Sequence, residues 1–202
     1  MPSASQIFFI LFLMLGPFKI LGPFSMITRG ASPALARNIA IRAILLASII
    51  LLLAAIMGDQ MLENFGIPVP VLALAGGVIL FMVALLNVLQ QFETHPVSTE
   101  PVAPPAMKVA MNPLAFPTIV TPYGVAAVIV FMTLAPDMNS KMVVGAIILI
   151  IMVINLVFML VNRYIFKVMA VILPILGAIL GIVQVALGLK IIYNSIDALL
   201  KM

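Results

Sequence analysis

The sequence is dominated by apolar runs of about twenty residues that each hold one charge at most. A helix of that length crosses the hydrocarbon core of a bilayer. The runs are apolar at every position, so the alternation typical of a transmembrane β-barrel is absent. Polar or proline-rich breaks separate residues 6–28, 39–57, 69–89, 108–134, 142–161 and 168–192. The sequence therefore predicts an all-α polytopic membrane protein with six transmembrane helices.

The composition leaves few residues for anything outside the membrane. Of the 202 residues, 65% are hydrophobic and 8% are charged, whereas soluble domains are about half apolar and about a quarter charged. A soluble catalytic domain is therefore excluded. Cysteine is absent, which removes disulfides, thiolate metal sites and cysteine nucleophiles. The net charge of +4 is too thinly spread for a nucleic-acid surface, so we expect no nucleic-acid partner.

Positive residues predict the orientation, because cytoplasmic loops carry an excess of lysine and arginine. Most of them fall on one side if the amino terminus is outside. These residues are Arg29, Arg37, Arg42, Lys108, Arg163 and Lys167. We therefore expect both termini outside and the proline-rich linker, residues 93–107, in the cytoplasm.

The linker divides the chain into residues 1–92 and 108–202, two halves of three spans that run in opposite directions because three is odd. Each half opens with a span broken by prolines, and matching breaks of this kind point to a transporter binding site. The breaks comprise Gly16, Pro17, Gly22 and Pro23 in the first span and Asn112, Pro113, Pro117 and Pro122 in the fourth. We predict two inverted three-helix repeats whose broken helices form a substrate site.

Polar side chains near the breaks are the other candidates for substrate binding. Proline frees backbone carbonyls, which in hydrocarbon need a partner. Lys19 is the one charge deep inside a predicted span, where a charge costs at least about 2.5 kcal/mol; it either lines the substrate path or snorkels to the headgroups. The remaining candidates are Asn112, Thr118, Thr121, Tyr123, Asn155 and Gln184. For these groups, interhelical hydrogen bonding is the alternative.

Small residues at helical spacing predict close packing of the third and sixth spans. The candidates are Gly76, Gly77, Gly177 and Gly181. Acidic residues are missing from the predicted spans, so a carboxylate proton relay has no residue to use. Metal-ligand and catalytic motifs are also missing. We therefore expect no enzyme and no cofactor, and sodium as the coupling ion where there is one.

Two stretches carry a family resemblance. Residues 113–117 read PLAFP and precede Pro122, and residues 65–67 and 75–81 read FGI and AGGVILF. They resemble the P-L-A-x-P-x-x-x-G-P and F-G-I…A-G-G-x-x-L-F motifs of the MarC family of bacterial and archaeal inner-membrane proteins. Gly16 stands where the family usually has Asn or Asp, and Thr121 replaces the glycine before Pro122. The resemblance implies six helices in two inverted repeats in the prokaryotic cytoplasmic membrane.

Some members of that family resemble transporters of small neutral amino acids, so the leading hypothesis is a secondary transporter of such a solute by alternating access. A non-transporting structural or regulatory membrane subunit and a lipid translocator are the alternatives. The expected partners are membrane lipids and a small-molecule substrate. The sequence leaves a homo-oligomer open.

Overall fold

The computed structural model describes residues 3–90 and 107–201, and every regular element in these ranges is helical. The predicted linker lies outside the described residues except for residue 107. A 3₁₀ turn, Met107–Ala110, and a wide π-type segment, Met111–Ile119, precede the fifth α-helix. The α-helices are α1 Ala4–Leu15, α2 Phe18–Ile27, α3 Pro33–Asn64, α4 Val69–Gln90, α5 Pro122–Thr133 and α6 Met138–Leu200.

Among the described residues, five segments are long and apolar enough to cross a membrane. These are Ala4–Ile27, Pro33–Gly58, Val69–Leu89, Met138–Asn162 and Gly177–Leu200. The pair Lys108–Ile119 and Pro122–Thr133 bends by 62° and makes a sixth if it is one span. The prediction of an all-α multi-pass membrane protein is confirmed, whereas the inverted relation between the halves stays a prediction.

Helix α6 must reverse its direction within its own length. The Asn155 Nδ2 donates to the Leu15 carbonyl at 2.7 Å, and the Gln184 Nε2 donates to the Leu13 carbonyl at 2.6 Å. Carbonyls two residues apart in α1 differ by about 3 Å along the helix axis, whereas the roughly 30 residues from Asn155 to Gln184 would span about 45 Å of straight helix. Helix α6 therefore consists of two parts that run in opposite directions. We call them the first limb, Met138–Asn162, and the second limb, Gly177–Leu200.

The second limb ends later than the sequence predicted. Residues 168–192 were expected to form the last span, but the apolar helix continues to Leu200 and so includes Asp197. The Asp197 carboxylate lies near the end of this limb and pairs with Lys201 at 2.6 Å. Because this pair is exposed, it leaves the interior of the described spans without a carboxylate.

The buried core lies where α1, α2, α3 and the first limb of α6 meet the π-type segment and α5, around Leu11, Leu15 and Ile148. Helix α4 instead packs on α5 and on the second limb through glycines. A Cβ added at Gly77 would stand 2.9 Å from the Ile191 Cγ2 atom, and one added at Gly181 would stand 2.7 Å from the Val88 Cγ2 atom. A Cβ added at Gly76 would likewise stand 2.9 Å from the Ala126 Cβ atom. Three of the four predicted packing glycines therefore lie at close helix contacts.

Candidate functional site

The first transmembrane segment is interrupted at Gly16 and Pro17, where α1 ends and α2 begins. Gly16 is extended, with φ −77° and ψ 175°. Pro17 has no N–H group, so it cannot donate to the Leu13 carbonyl four residues before it. The last carbonyls of a helix lack partners within the helix and form the negative end of its dipole. The break therefore places a group of electron-rich oxygens inside an apolar protein.

Three consecutive carbonyls at this break each accept a hydrogen bond from a side chain. The Gln184 amide donates to Leu13 at 2.6 Å, and the Asn155 amide donates to Leu15 at 2.7 Å. Between them, the Lys19 ammonium donates to the Met14 carbonyl. The donors come from α2 and from both limbs of α6. The end of α1 is therefore fixed by three separate segments, two of them distant in sequence.

Lys19 and Leu15 also connect the first break to the second. The Lys19 Nζ atom lies 5.4 Å from the centroid of the Tyr123 ring, which is cation–π distance. A Cβ at Gly124 would stand 2.5 Å from the Leu15 Cδ2 atom. Tyr123 and Gly124 lie in the first turn of α5, directly after the fourth predicted span is broken. The two proline-broken regions are therefore in contact.

The second break is wider than the first. Between residues 111 and 119 the backbone is extended at Asn112 and at Phe116. The Thr121 Oγ1 atom then caps α5 by accepting from the Gly124 N–H at 3.2 Å. Thr121 is buried and Thr118 is half-buried. The other four candidates from this break are exposed at the protein surface, namely Asn112, Pro113, Pro117 and Pro122.

A cavity of about 390 Å³ opens beside the first break. Gly16, Lys19 and Gln184 line it, together with the Asn87 amide of α4. Gly177, predicted only to pack helices, lies on its wall as well. Asn87 is marked in the sequence as an amide within an otherwise apolar span. Tyr123, a candidate beside Thr121, contacts Lys19 and lies outside the lining of this cavity.

The remaining candidates lie outside the lining of this cavity. Pro17 and Asn155 are buried, and Asn155 has no exposed surface. The Asn155 Oδ1 atom has no hydrogen-bond partner among the groups that the structure describes. Gly22 and Pro23 lie farther along α2, outside the cavity lining. Within the described ranges, no group of three His, Cys, Asp or Glu residues could hold a metal ion.

Comparison with known proteins identifies the chain's relatives. A family model described as MarC family integral membrane protein matches residues 1–200. The UPF0056 membrane protein MJ1677 of Methanocaldococcus jannaschii is 30% identical over 142 residues, which is 69% of this chain and 69% of that protein. No solved structure matches the chain.

Proposed function

The chain belongs to the MarC family of integral membrane proteins, and we propose that it is a secondary transporter of small neutral amino acids. The cavity beside the first break is the proposed substrate site. Its polar groups supply both signs of interaction that a zwitterion needs. The observation that carries the proposal is the meeting of Lys19, Gln184 and the α1 carbonyls at this cavity.

Size and charge both favour a small zwitterion at this site. A volume of about 390 Å³ lies near the lower end of the roughly 300–1,000 Å³ typical of ligand sites. The Lys19 ammonium would attract a carboxylate. The amide oxygens of Gln184 and Asn87 and the negative end of the α1 dipole would favour an ammonium group. The aromatic rings of Phe12 and Phe18 supply an apolar wall for a short side chain.

The contact between the two breaks suggests how access would alternate. If the halves are inverted repeats, rocking one half against the other would change the cavity at their junction. Lys19 and Tyr123 belong to different halves, so this pair would loosen or tighten as the halves move. We further propose that the protein lies in the prokaryotic cytoplasmic membrane with both termini outside, that it is not an enzyme, and that sodium is the coupling ion where transport is coupled.

Uptake into proteoliposomes tests the proposal. Radiolabelled glycine and alanine would be supplied with an inward sodium gradient, and with N-methylglucamine in place of sodium. We expect uptake of at least one neutral amino acid, reduced tenfold or more by Lys19→Gln and by Gln184→Leu. Lys190→Gln is the matched control, because Lys190 is exposed and outside the cavity. Absence of uptake across a panel of neutral amino acids, by folded protein, would refute transport of this class.

A binding assay separates transport from a purely structural role. A transporter should be stabilised against thermal unfolding by its substrate, because a ligand that binds the folded state raises its stability. Lys19→Gln should remove that stabilisation while Lys190→Gln retains it. A non-transporting subunit would show no stabilisation by a small solute that depends on Lys19. A lipid translocator would respond to phospholipids at this cavity instead.

A further inference from the structure

A second and larger cavity, of about 1150 Å³, opens at the corner between α2 and α3. The loop of residues 28–33 forms one side, and the end of the first limb of α6 forms another. Phe24 and Met159, each only 3% exposed, make its apolar floor. None of the residues that line the cavity beside the first break lines this one. The two cavities are therefore separate sites.

The lining of this cavity is basic on its outer side. Arg29 and Arg37 both contribute to it and are exposed, so their guanidinium groups can reach a ligand. The described residues around the cavity include no acidic side chain. Guanidinium groups bind phosphate through paired hydrogen bonds, and basic pockets between transmembrane helices bind phospholipid headgroups. The charge therefore favours a phosphate-bearing ligand.

Asn162 adds a second requirement. It lines the same cavity, is only 4% exposed, and its Oδ1 atom has no hydrogen-bond partner among the residues that the structure describes. Buried polar atoms without a partner are rare in folded proteins, and each calls for an explanation. An amide oxygen accepts hydrogen bonds and cannot donate one. A ligand that completes this site must therefore carry an N–H or O–H donor.

We propose that this cavity binds a phosphate ester that carries a hydrogen-bond donor, with the headgroup of phosphatidylethanolamine or phosphatidylglycerol as its membrane form. The phosphate lies between Arg29 and Arg37. The Asn162 Oδ1 atom is enclosed in the ligand-free protein, so the amide turns toward the cavity to accept a hydrogen bond from the ammonium or hydroxyl of the headgroup. The acyl chains leave past Leu160, which is 41% exposed at the rim. Because the two cavities share no lining residue, this ligand occupies a different site from the proposed transport substrate.

Thermal unfolding of the delipidated protein in detergent tests the proposal. The probes are short-chain phosphatidylethanolamine, phosphatidylglycerol and phosphatidylcholine, together with the soluble esters phosphoethanolamine and glycerol phosphate. We expect half-maximal stabilisation at concentrations at least tenfold lower for the first two lipids than for phosphatidylcholine, whose quaternary ammonium has no N–H. Stabilisation by soluble esters at equal concentrations identifies a water-soluble ligand of the same chemistry. Equal responses to all three lipids would overturn the proposal.

Variants assign the effect to this cavity. Arg29→Gln and Arg37→Gln should each raise the half-maximal concentration about tenfold. Arg42→Gln is the matched control, because Arg42 is an exposed arginine of α3 outside the cavity. Asn162→Leu should abolish the preference over phosphatidylcholine while the arginine effects remain. A preference that survives Asn162→Leu, or an Arg42→Gln effect as large as that of Arg37→Gln, contradicts the proposal. The arginine variants remain decisive should Asn162→Leu not fold.

Discussion

Gly188→Ala should leave the protein less stable than Gly145→Ala does, although both substitutions lie in α6. A Cβ at Gly188 would stand 2.9 Å from both the Cα and the N atom of Phe81, whereas ordinary contact begins at 3.4 Å. These atoms belong to the backbone of α4, so they cannot rotate aside. Helix α4 would have to withdraw by roughly 0.5 Å, which weakens its dispersion contacts. At Gly145, by contrast, nothing lies within 4 Å of an added Cβ.

The expected change in the free energy of unfolding is the sum of two contributions, one of which is common to both variants. Alanine in place of glycine stabilises a helix interior by about 1 kcal/mol. Overpacking at a close contact costs about 1–3 kcal/mol. Gly145→Ala should therefore raise the free energy of unfolding by about 1 kcal/mol, and Gly188→Ala should leave it unchanged or lower it by up to about 2 kcal/mol. The difference between the variants isolates the packing term.

Reversible unfolding by sodium dodecyl sulfate in mixed micelles measures that difference. A gap of about 1–3 kcal/mol corresponds to a roughly 5- to 150-fold ratio between the two unfolding equilibrium constants. If Gly188→Ala is as stable as Gly145→Ala, α4 and the second limb are not in close backbone contact at Phe81, which would refute the reasoning.

Three further substitutions test the helix ends. Gly16→Ala should destabilise the protein by about 1–3 kcal/mol, because its Cβ would collide with the carbonyl of the preceding turn. Gly22→Ala should not destabilise it, because nothing lies within 4 Å of an added Cβ there. Equal melting temperatures of the two variants would contradict this prediction. Thr121→Val should lower the free energy of unfolding by about 0.5–2 kcal/mol, because it removes the cap of α5. Thr121→Ser keeps a capping hydroxyl and should retain most of that stability in the same unfolding assay. Hydrogen bonds from the Ser140 side chain and backbone lower the pKa of Asp137 below its ordinary 3.8. The stability that its carboxylate contributes is therefore present above pH 3.8 and lost as the pH falls through the folded-state pKa, so the melting temperatures of the native protein and Asp137→Ala should converge in acid.

The break in the first span could be predicted because its cause is local. Gly16 and Pro17 interrupt a helix wherever they lie, since proline lacks the N–H group and glycine has little helix preference. The partners of the freed carbonyls could not be predicted. Asn155 lies 140 residues from Leu15, and Gln184 lies 171 residues from Leu13. Apolar spans carry little periodicity, so the sequence does not determine how each helix is rotated or aligned against its neighbours.

At the second break, the sequence does not determine which side chains face the interior. The prolines of this break interrupt the helix as predicted, but the sequence does not distinguish among the polar and proline positions around them. In the structure, Asn112 and Pro113 are exposed whereas Thr121 is buried, because the backbone is extended at Asn112 and Phe116 and turns these residues outward. Dihedral changes at two residues decide which side chains face the interior, and composition does not report them.

The first limb of α6 carries a further test, because its two buried asparagines differ in one respect. Asn155 and Asn162 each have an Oδ1 atom without a partner among the described residues, but only the Asn155 amide is known to donate, to the Leu15 carbonyl. An unpaired buried acceptor costs about 1–3 kcal/mol. Asn162→Leu should therefore stabilise the ligand-free protein.

Asn155→Leu should raise the free energy of unfolding by less than Asn162→Leu does. This variant removes the same kind of unpaired oxygen, but it also removes the hydrogen bond from the Asn155 amide to the Leu15 carbonyl. A hydrogen bond between membrane helices contributes about 0.6 kcal/mol on average. Unfolding of both variants without added lipid or solute measures the comparison. If Asn162→Leu is less stable than the native protein, its oxygen is already paired in the folded state. The requirement for a donor-bearing headgroup then loses its basis, whereas the arginine contribution does not.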